Sequence, residues 1–312
     1  MSRTDTLMAE YPVKVTNLDK VLWPEAGVTK AEYIQYMIQM ARIMIPHYTD
    51  RLLTVIRFPS GIHDKSFYQK NIPDGAPDWL KTHPVYSDDS HRDIHYLVVD
   101  NTATLLWLAN QAAMELHPSY AKIHNLDQPT NIAFDLDPTV KEVDIAGFKK
   151  AVRVALHLKE ALDDLGLPSY PKTSGATGLQ IFIPIAPGYT FEDTRLITQF
   201  LAHYIVQKAP DICTIERLKK DRGDKVYFDY LQHWKNKTLS GPYTPRAVPS
   251  AAVSSPLSWD ELREGVTPDL FTIRTMPRRI AEVGDLFAPM SQPGVEIRDI
   301  LHFIKHHPTG SL

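Results

Sequence analysis

Apolar residues at helical spacing alternate along this chain with short apolar runs bounded by turn residues, the pattern of an α/β protein. Ala31, Ile34, Ile38, Ala41 and Ile45 share one side of a helix predicted over residues 30–45, with Thr29 placed to cap it. A second helix is predicted over 101–116, with Leu105, Leu108, Ala112 and Leu116 inward, and MELHPSY closes it with His117 directly before Pro118. Val154, Leu158, Leu162 and Leu165 mark a third over 145–165, which Gly166 stops, and residues 190–209 form a fourth. Strands are predicted at 52–58, 67–71, 94–99, 131–139 and 225–232, with two more ending near Thr173 and starting near Leu179. Residues 72–92, rich in Pro, Asp, Ser and His, read as a long loop, and two short helical patterns follow at 258–264 and 277–287.

The stretch NIAFDLDPT, residues 131–139, ends an apolar run in two acids one residue apart. Side chains alternate along a strand, so Asp135 and Asp137 point to one face while Ile132, Phe134 and Leu136 point into a core. The two carboxylates then lie about 6.5 to 7 Å apart along the strand, which suits a hard divalent cation seeking oxygen ligands. Pro138 ends the strand beside them. Asp-x-Asp-Pro is equally ordinary strand-end and turn chemistry, so these residues alone leave both readings open. A third acid, Asp229, lies among Val226, Phe228 and Tyr230 in KVYFDYLQ. A buried carboxylate needs a partner, and a metal shared with Asp135 and Asp137 would supply one.

Composition narrows the setting. The chain has 312 residues, enough for a substantial core in one elaborate domain or two closely joined ones. Its 43% hydrophobic and 23% charged residues are the proportions of a soluble globular enzyme. No apolar run reaches the length of a membrane span, and residues 1–15 lack the apolar segment of a secretory signal. The single cysteine, Cys213, excludes an internal disulfide and makes a reducing cytoplasm the expected compartment. A formal net charge of -3 rules out a nucleic-acid role written in bulk charge, so any such role must rest on local patches.

Several stretches could form such patches. In PKTSGATGLQIFIPI, residues 171–185, small residues and two glycines join two strands. Backbone amides there can turn toward one point as an anion nest, with Ser174 and Thr177 hydroxyls as further donors; a plain hairpin turn fits as well. The loop lacks the lysine of a P-loop. TIERLKKDRGDK, residues 214–225, is net positive and contains Arg222. Lys20 and Lys30 flank the turn at 24–27, where two lysines at a loop and a helix start ordinarily lie in solvent. Adjacent Phe67 and Tyr68 cannot both face the core of a simple strand, so one is expected outside, where it could stack on a base or pack under a loop.

These motifs together resemble the polymerase domain of bacterial DNA ligase D, a member of the archaeo-eukaryotic primase superfamily used in non-homologous end joining. NLDKVLWP with Thr29-Lys30, IRFPSG, FYQKN, ELHP, FDLDP, KTSGATGL, VYFDYLQ and GPYTPRA occur in the family's order, over nearly the whole chain. The resemblance implies an α/β (α+β) primase-polymerase core with mixed, largely antiparallel sheets and peripheral helices. It implies a flexible N-terminus at 1–15, a polymerase domain at 16–290 and a C-terminal tail at 291–312. By the same resemblance Asp135, Asp137 and Asp229 hold two divalent metals, Mn²⁺ or Mg²⁺, and His117, Ser174, Gln232 and Arg246 contact the incoming nucleoside triphosphate. Arg222 matches an arginine in a mobile loop that helps assemble the active site. Asn17, Lys20 and Lys30 match a pocket for the 5′-phosphate of a gap or break, and Phe67 with Tyr68 matches an aromatic pair near the template base. The implied activity is template-directed nucleotide addition to primer 3′ ends at gaps and double-strand breaks, with ribonucleotides preferred. DNA with recessed or gapped ends, Ku and an ATP-dependent DNA ligase are the implied partners, in the cytoplasm at the nucleoid, with no membrane.

The chain departs from the family pattern in places. Thr177 and Gln180 stand where the family often has a basic residue and a histidine, which removes a positive charge from the triphosphate site. Ile56 replaces a lysine found in some members and leaves Arg57 as the nearest cation. No KxDG-type adenylation motif of a ligase is present. Two alternatives follow from the same residues. Asp135-Leu136-Asp137-Pro138-Thr139 also fits the DxDxT signature of haloacid-dehalogenase-type phosphatases, with Asp135 as nucleophile and Asp137 as general acid. A DNA-end adaptor that has kept the phosphate pocket but lost most catalysis is the other.

Overall fold

The computed structural model describes residues 11–140 and 144–307. The expected flexible N-terminus therefore lies mostly outside the described residues, as does the end of the expected C-terminal tail. The chain forms two compact units. One runs to Ser119 and takes in Leu239–Ser254 and Phe271–Gly284; the other comprises Tyr120–Thr238, Ser255–Leu270 and the chain from Asp285.

In the first unit, β1 (Val21–Trp23) and β2 (Val28–Thr29) form an antiparallel ribbon that leads into helix α1 (Lys30–Tyr48). The Thr29 hydroxyl accepts from the Glu32 amide at 3.3 Å and the Glu32 carboxylate accepts from the Thr29 amide at 3.0 Å, a reciprocal cap that starts the helix. Its buried side centres on Tyr33, Met37, Met40 and Met44 rather than on the predicted Ile38 and Ile45. Long methionines and tyrosines fill the core there, and Tyr36 and Tyr48 satisfy their hydroxyls on the carbonyls of Tyr243 and Pro242 at 2.6 and 2.9 Å.

Strands β3 (Arg51–Arg57), β4 (Phe67–Gln69), β5 (Thr82–Ser87) and β6 (Arg92–Leu97) are followed by α2 (Thr102–Asn110) and β7 (Ala113–Lys122). The sheet order is β5-β6-β3-β7, with β4 on β3. Two expectations need correction here. The predicted loop at 72–92 contains β5, paired antiparallel with β6 from Thr82↔Leu97 to Ser87↔Arg92. Its Pro84 is tolerated because β5 is an edge strand, and that proline is what disguised it in the sequence. The second predicted helix stops at Asn110; Ala112 takes φ 52° and the chain turns into β7. Met114 and Leu116, both fully buried, satisfy a period of two as readily as the helical period that was read through them.

The second unit holds β8 (Asn125–Pro129), β9 (Asn131–Pro138), α3 (Ile145–Asp164), β10 (Tyr170–Thr173), β11 (Leu179–Pro184), α4 (Phe191–Lys208), β12 (Cys213–Thr214) and β13 (Val226–Asp229). Five of the strands form a sheet in the order β10-β11-β9-β13-β12, antiparallel except for the β12–β13 pair. Asp144 caps α3 through the amides of Ala146 and Gly147, and Gly166, at φ 67°, follows its end. Thr190 and Asp193 form the capping box of α4. Both helices pack on β9, where Ile132, Phe134 and Leu136 are fully buried, each contributing about 1.5–3 kcal/mol through burial. Phe134 meets Phe228 of β13 edge-on at 5.7 Å. Residues Arg298–His306 form a helix with Leu301 and Ile304 buried. The Cys213 thiol is buried and pushed up to about 12 by that burial, so it is a packing group rather than a nucleophile. Among the described residues no helix is long and apolar enough to cross a membrane.

Candidate functional site

The register of the second unit's sheet decides where the acids stand. Asp135 on β9 is paired with Asp229 on β13, and Asp137 with Tyr227. Register partners on antiparallel strands have Cβ atoms about 4.5–5.5 Å apart and share a face. Asp229 therefore faces Asp135 directly, with Asp137 two residues further along the same side. On its other flank Asp135 is paired with Gln180 of β11, whose Nε2 donates to Asp135 Oδ1 at 3.1 Å. The Tyr227 hydroxyl donates to Asp229 Oδ1 at 3.2 Å. Burial, and then the Asp137 charge, push the Asp135 carboxyl well above the usual range; Gln180 opposes this and Asp229 adds to it.

Among the described residues, no three His, Cys, Asp or Glu side chains are gathered closely enough to hold a metal as they stand. The donor chemistry still fits a divalent cation. Three carboxylates on one face, two of them directly opposed and one buried, form an all-oxygen anionic set whose repulsion a hard cation would relieve.

The loop after β10 abuts this row. Gly178 runs so close to β9 that a Cβ there would lie 2.5 Å from the Leu136 carbonyl oxygen and 3.2 Å from Asp137 Oδ1, so only glycine fits. The amides of Ala176 and Gly178 do converge, but on the Ser174 hydroxyl oxygen, at 3.1 and 3.0 Å. The Ser174 hydroxyl thus accepts from the turn's amides, where a further donor beside them is expected. Arg222 is drawn onto its own loop, bonding the carbonyls of Glu216 and Arg217 at 2.8 Å each, and its guanidinium stacks 3.6 Å from the Tyr227 ring centroid. Gln232 donates to the Thr238 carbonyl at 2.8 Å.

In the first unit, Glu115 gathers two of the predicted residues. Its Oε2 lies 3.1 Å from His117 Nε2 and 3.1 Å from Arg246 Nε, while Oε1 accepts from the Ala247 amide at 3.1 Å. Burial alone would push the Glu115 carboxyl up, but the His117 hydrogen bond, the Arg246 charge and the Ala247 amide outweigh it and hold it at about 2. Arg246 is also held through its backbone, its carbonyl accepting from Trp23 Nε1 at 2.9 Å. His117 is a mid-strand residue of β7, not the end of a helix as expected.

Lys20 and Lys30 are brought together, the Lys30 amide donating to the Lys20 carbonyl at 2.7 Å. Burial and then the Lys20 charge lower the Lys30 amine to about 8. Asn17, at φ 53°, begins the same turn, its carbonyl accepting from the Lys20 amide at 3.1 Å. Phe67 and Tyr68 are both exposed, at 47% and 62%, where only one was expected outside. Arg57 is directed to Gln111 and Gln69, with bonds of 3.0 to 3.2 Å.

Glu115, Lys172 and Tyr227 are site neighbours that the sequence reading missed. Glu115 and His117 are two residues apart and share a face only in a strand; in a helix they would diverge.

The family described as LigD, primase-polymerase domain, matches residues 29–287. The bifunctional non-homologous end joining protein LigD of Bacillus subtilis is 40% identical over 299 residues, 94% of this chain and 47% of that protein. The multifunctional LigD of Mycolicibacterium smegmatis is 32% identical over 297 residues, 93% of this chain and 38% of that protein. The chain thus spans half the length or less of these curated relatives. The solved polymerase domain from Mycobacterium tuberculosis ligase D, in complex with DNA, superposes with a TM-score of 0.82 at 30% identity, covering 90% of this chain and 99% of that one.

Proposed function

The chain belongs to the family of LigD primase-polymerase domains, whose members are nucleotidyltransferases of DNA repair, and from that premise we propose that it extends primer 3′ ends at gaps and double-strand breaks by copying a template. The observation that supports this most is the cross-strand pairing of Asp229 with Asp135, which puts three acids on one face. The family match displaces the phosphatase reading of Asp135.

In this reading Asp135, Asp137 and Asp229 hold two divalent cations, Mn²⁺ or Mg²⁺. Held by these three carboxylates, such cations would supply Lewis acidity toward the primer hydroxyl and countercharge for the pyrophosphate. The carboxylates supply the oxygen donors, and Gln180 fixes the rotation of the first of them through its N–H. His117, Ser174, Gln232 and Arg246 take the nucleoside triphosphate, Arg246 through charge-assisted bonds to phosphate. Arg222 helps assemble the site on the primer end. Asn17, Lys20 and Lys30 take the downstream 5′-phosphate, and Phe67 with Tyr68 stacks on the template base. Ribonucleotides are the preferred substrates, and Ku and an ATP-dependent DNA ligase are the partners, in the cytoplasm at the nucleoid.

The test is primer extension on a gapped duplex bearing a 5′-phosphate, with Mn²⁺ and each nucleotide type. Metal-dependent extension that Asp137→Ala abolishes is expected. No extension by wild type, or undiminished extension by that variant, defeats the reading; end binding without incorporation identifies an adaptor instead.

A further inference from the structure

Lys172 of β10, Gln180 of β11 and Asp135 of β9 are successive register partners across three strands, so their side chains point to the same face of the sheet. Lys172 is 0% exposed. An ammonium buried so completely needs an acceptor, because an unpaired buried charge is expensive. Its Nζ donates to Gln180 Oε1 and lies 5.6 Å from the Phe182 ring centroid. With its oxygen engaged by a cation, the Gln180 amide has one orientation. Nε2 is then turned toward β9, where it donates to Asp135 Oδ1 at 3.1 Å. Flipping the amide would set an N–H against an ammonium, which is repulsive, and would take the donor away from Asp135 Oδ1.

We propose that Lys172 and Gln180 form a positioning relay for the first acid: the buried ammonium locks the amide, and the amide locks the Asp135 carboxylate, presenting Oδ2 for ligation. In this role both residues act through Asp135 rather than on the substrate. The relay sets how well the acid trio binds a divalent cation, and it rests on the reading that the trio does so. It also gives a role to the glutamine at position 180, which departs from the histidine often found there in the family.

Mn²⁺ binding to metal-free protein, without nucleotide or DNA, tests this by the six-line EPR signal of the free ion. Lys172→Met and Gln180→Met are each expected to weaken binding about tenfold, with the double variant no weaker than the poorer single, since both act through one chain of contacts. Saturating Mn²⁺ restores kcat in both, and KM for nucleotide is unchanged. Unchanged affinity in either single variant, or losses that multiply in the double, overturns the relay while leaving the polymerase reading intact. Wild type that neither binds Mn²⁺ nor extends a primer overturns both. Should Lys172→Met fail to fold, the side-chain amide of Gln180 decides, its NMR signals identified by their loss in Gln180→Met. A slowly exchanging, resolved pair of protons supports the arrested amide, and a pair in fast exchange with solvent overturns it.

Discussion

Asp229 on β13 stands directly opposite Asp135 on β9, and burial pushes the Asp135 carboxyl well above its ordinary range. Two facing acids, one of them buried, destabilise the fold by burial and mutual repulsion, which Gln180 and the Lys172 charge offset only in part.

Replacing one of them should therefore stabilise the metal-free protein. A group whose folded pKa is raised is most favourable below its unfolded value, 3.8 for Asp135, and loses that advantage as pH rises through the folded value. Asp135→Asn is expected to unfold at a temperature several degrees higher at pH 7 in chelator, since about 1 kcal/mol shifts Tm by roughly 2–4 °C. The gain should shrink as pH falls toward 4, and primer extension should be lost at every pH. Thermal melts at a series of pH values check the sign.

Divalent ions should reverse that ranking. Wild type is expected to gain stability with added Mn²⁺ by about 2.7 kcal/mol at a hundredfold excess over Kd, whereas Asp137→Ala and Asp229→Ala gain little. Denaturant midpoints with and without the ion measure the difference.

Glu115 predicts an acid-sensitive step in the other unit. Its carboxyl is lowered from 4.5 to about 2, so it stabilises the fold above the unfolded value and that contribution disappears as pH falls from about 4.5 to 2. The shift corresponds to about 3 kcal/mol. Glu115→Gln is expected to lose a comparable amount at pH 7, to flatten the stability profile in that window, and to raise KM for nucleotide about tenfold by releasing His117 and Arg246. Urea denaturation at a series of pH values and steady-state kinetics separate the two effects.

Recognition of a 5′-phosphate should weaken in mild alkali. Lys30 titrates near 8, so its positive charge is largely present at pH 7 and largely absent at pH 9. The preference for a 5′-phosphorylated over a 5′-hydroxyl gapped duplex is expected to fall up to about tenfold across that range, and the fall should vanish in Lys30→Gln. Competition binding with the two duplexes reads it directly.

Phe67 and Tyr68 give a substitution with opposite consequences for fold and function. Both rings are exposed, so the double change to alanine should leave Tm within a degree or two. Templated extension should drop roughly tenfold or more, since stacking contributes about 1–3 kcal/mol per base.

By itself the sequence determined the elements with strong periodicity and clear ends: the helix capped by Thr29, the helix between Asp144 and Gly166, the one opened by Thr190, and the apolar strand that carries Asp135 and Asp137. Those features are local, since caps and alternation act within a few residues. It misplaced β5 and the start of β7, where a proline at a sheet edge and a short apolar run compatible with two periods left the local signal divided. Only the tertiary structure decided that Asp229 faces Asp135, that Glu115 joins His117 to Arg246, and that Lys172 reaches Asp135 through Gln180. Each of these depends on strand register or on packing between distant segments, and a one-residue slip of a strand would turn the side chains it carries to the opposite face.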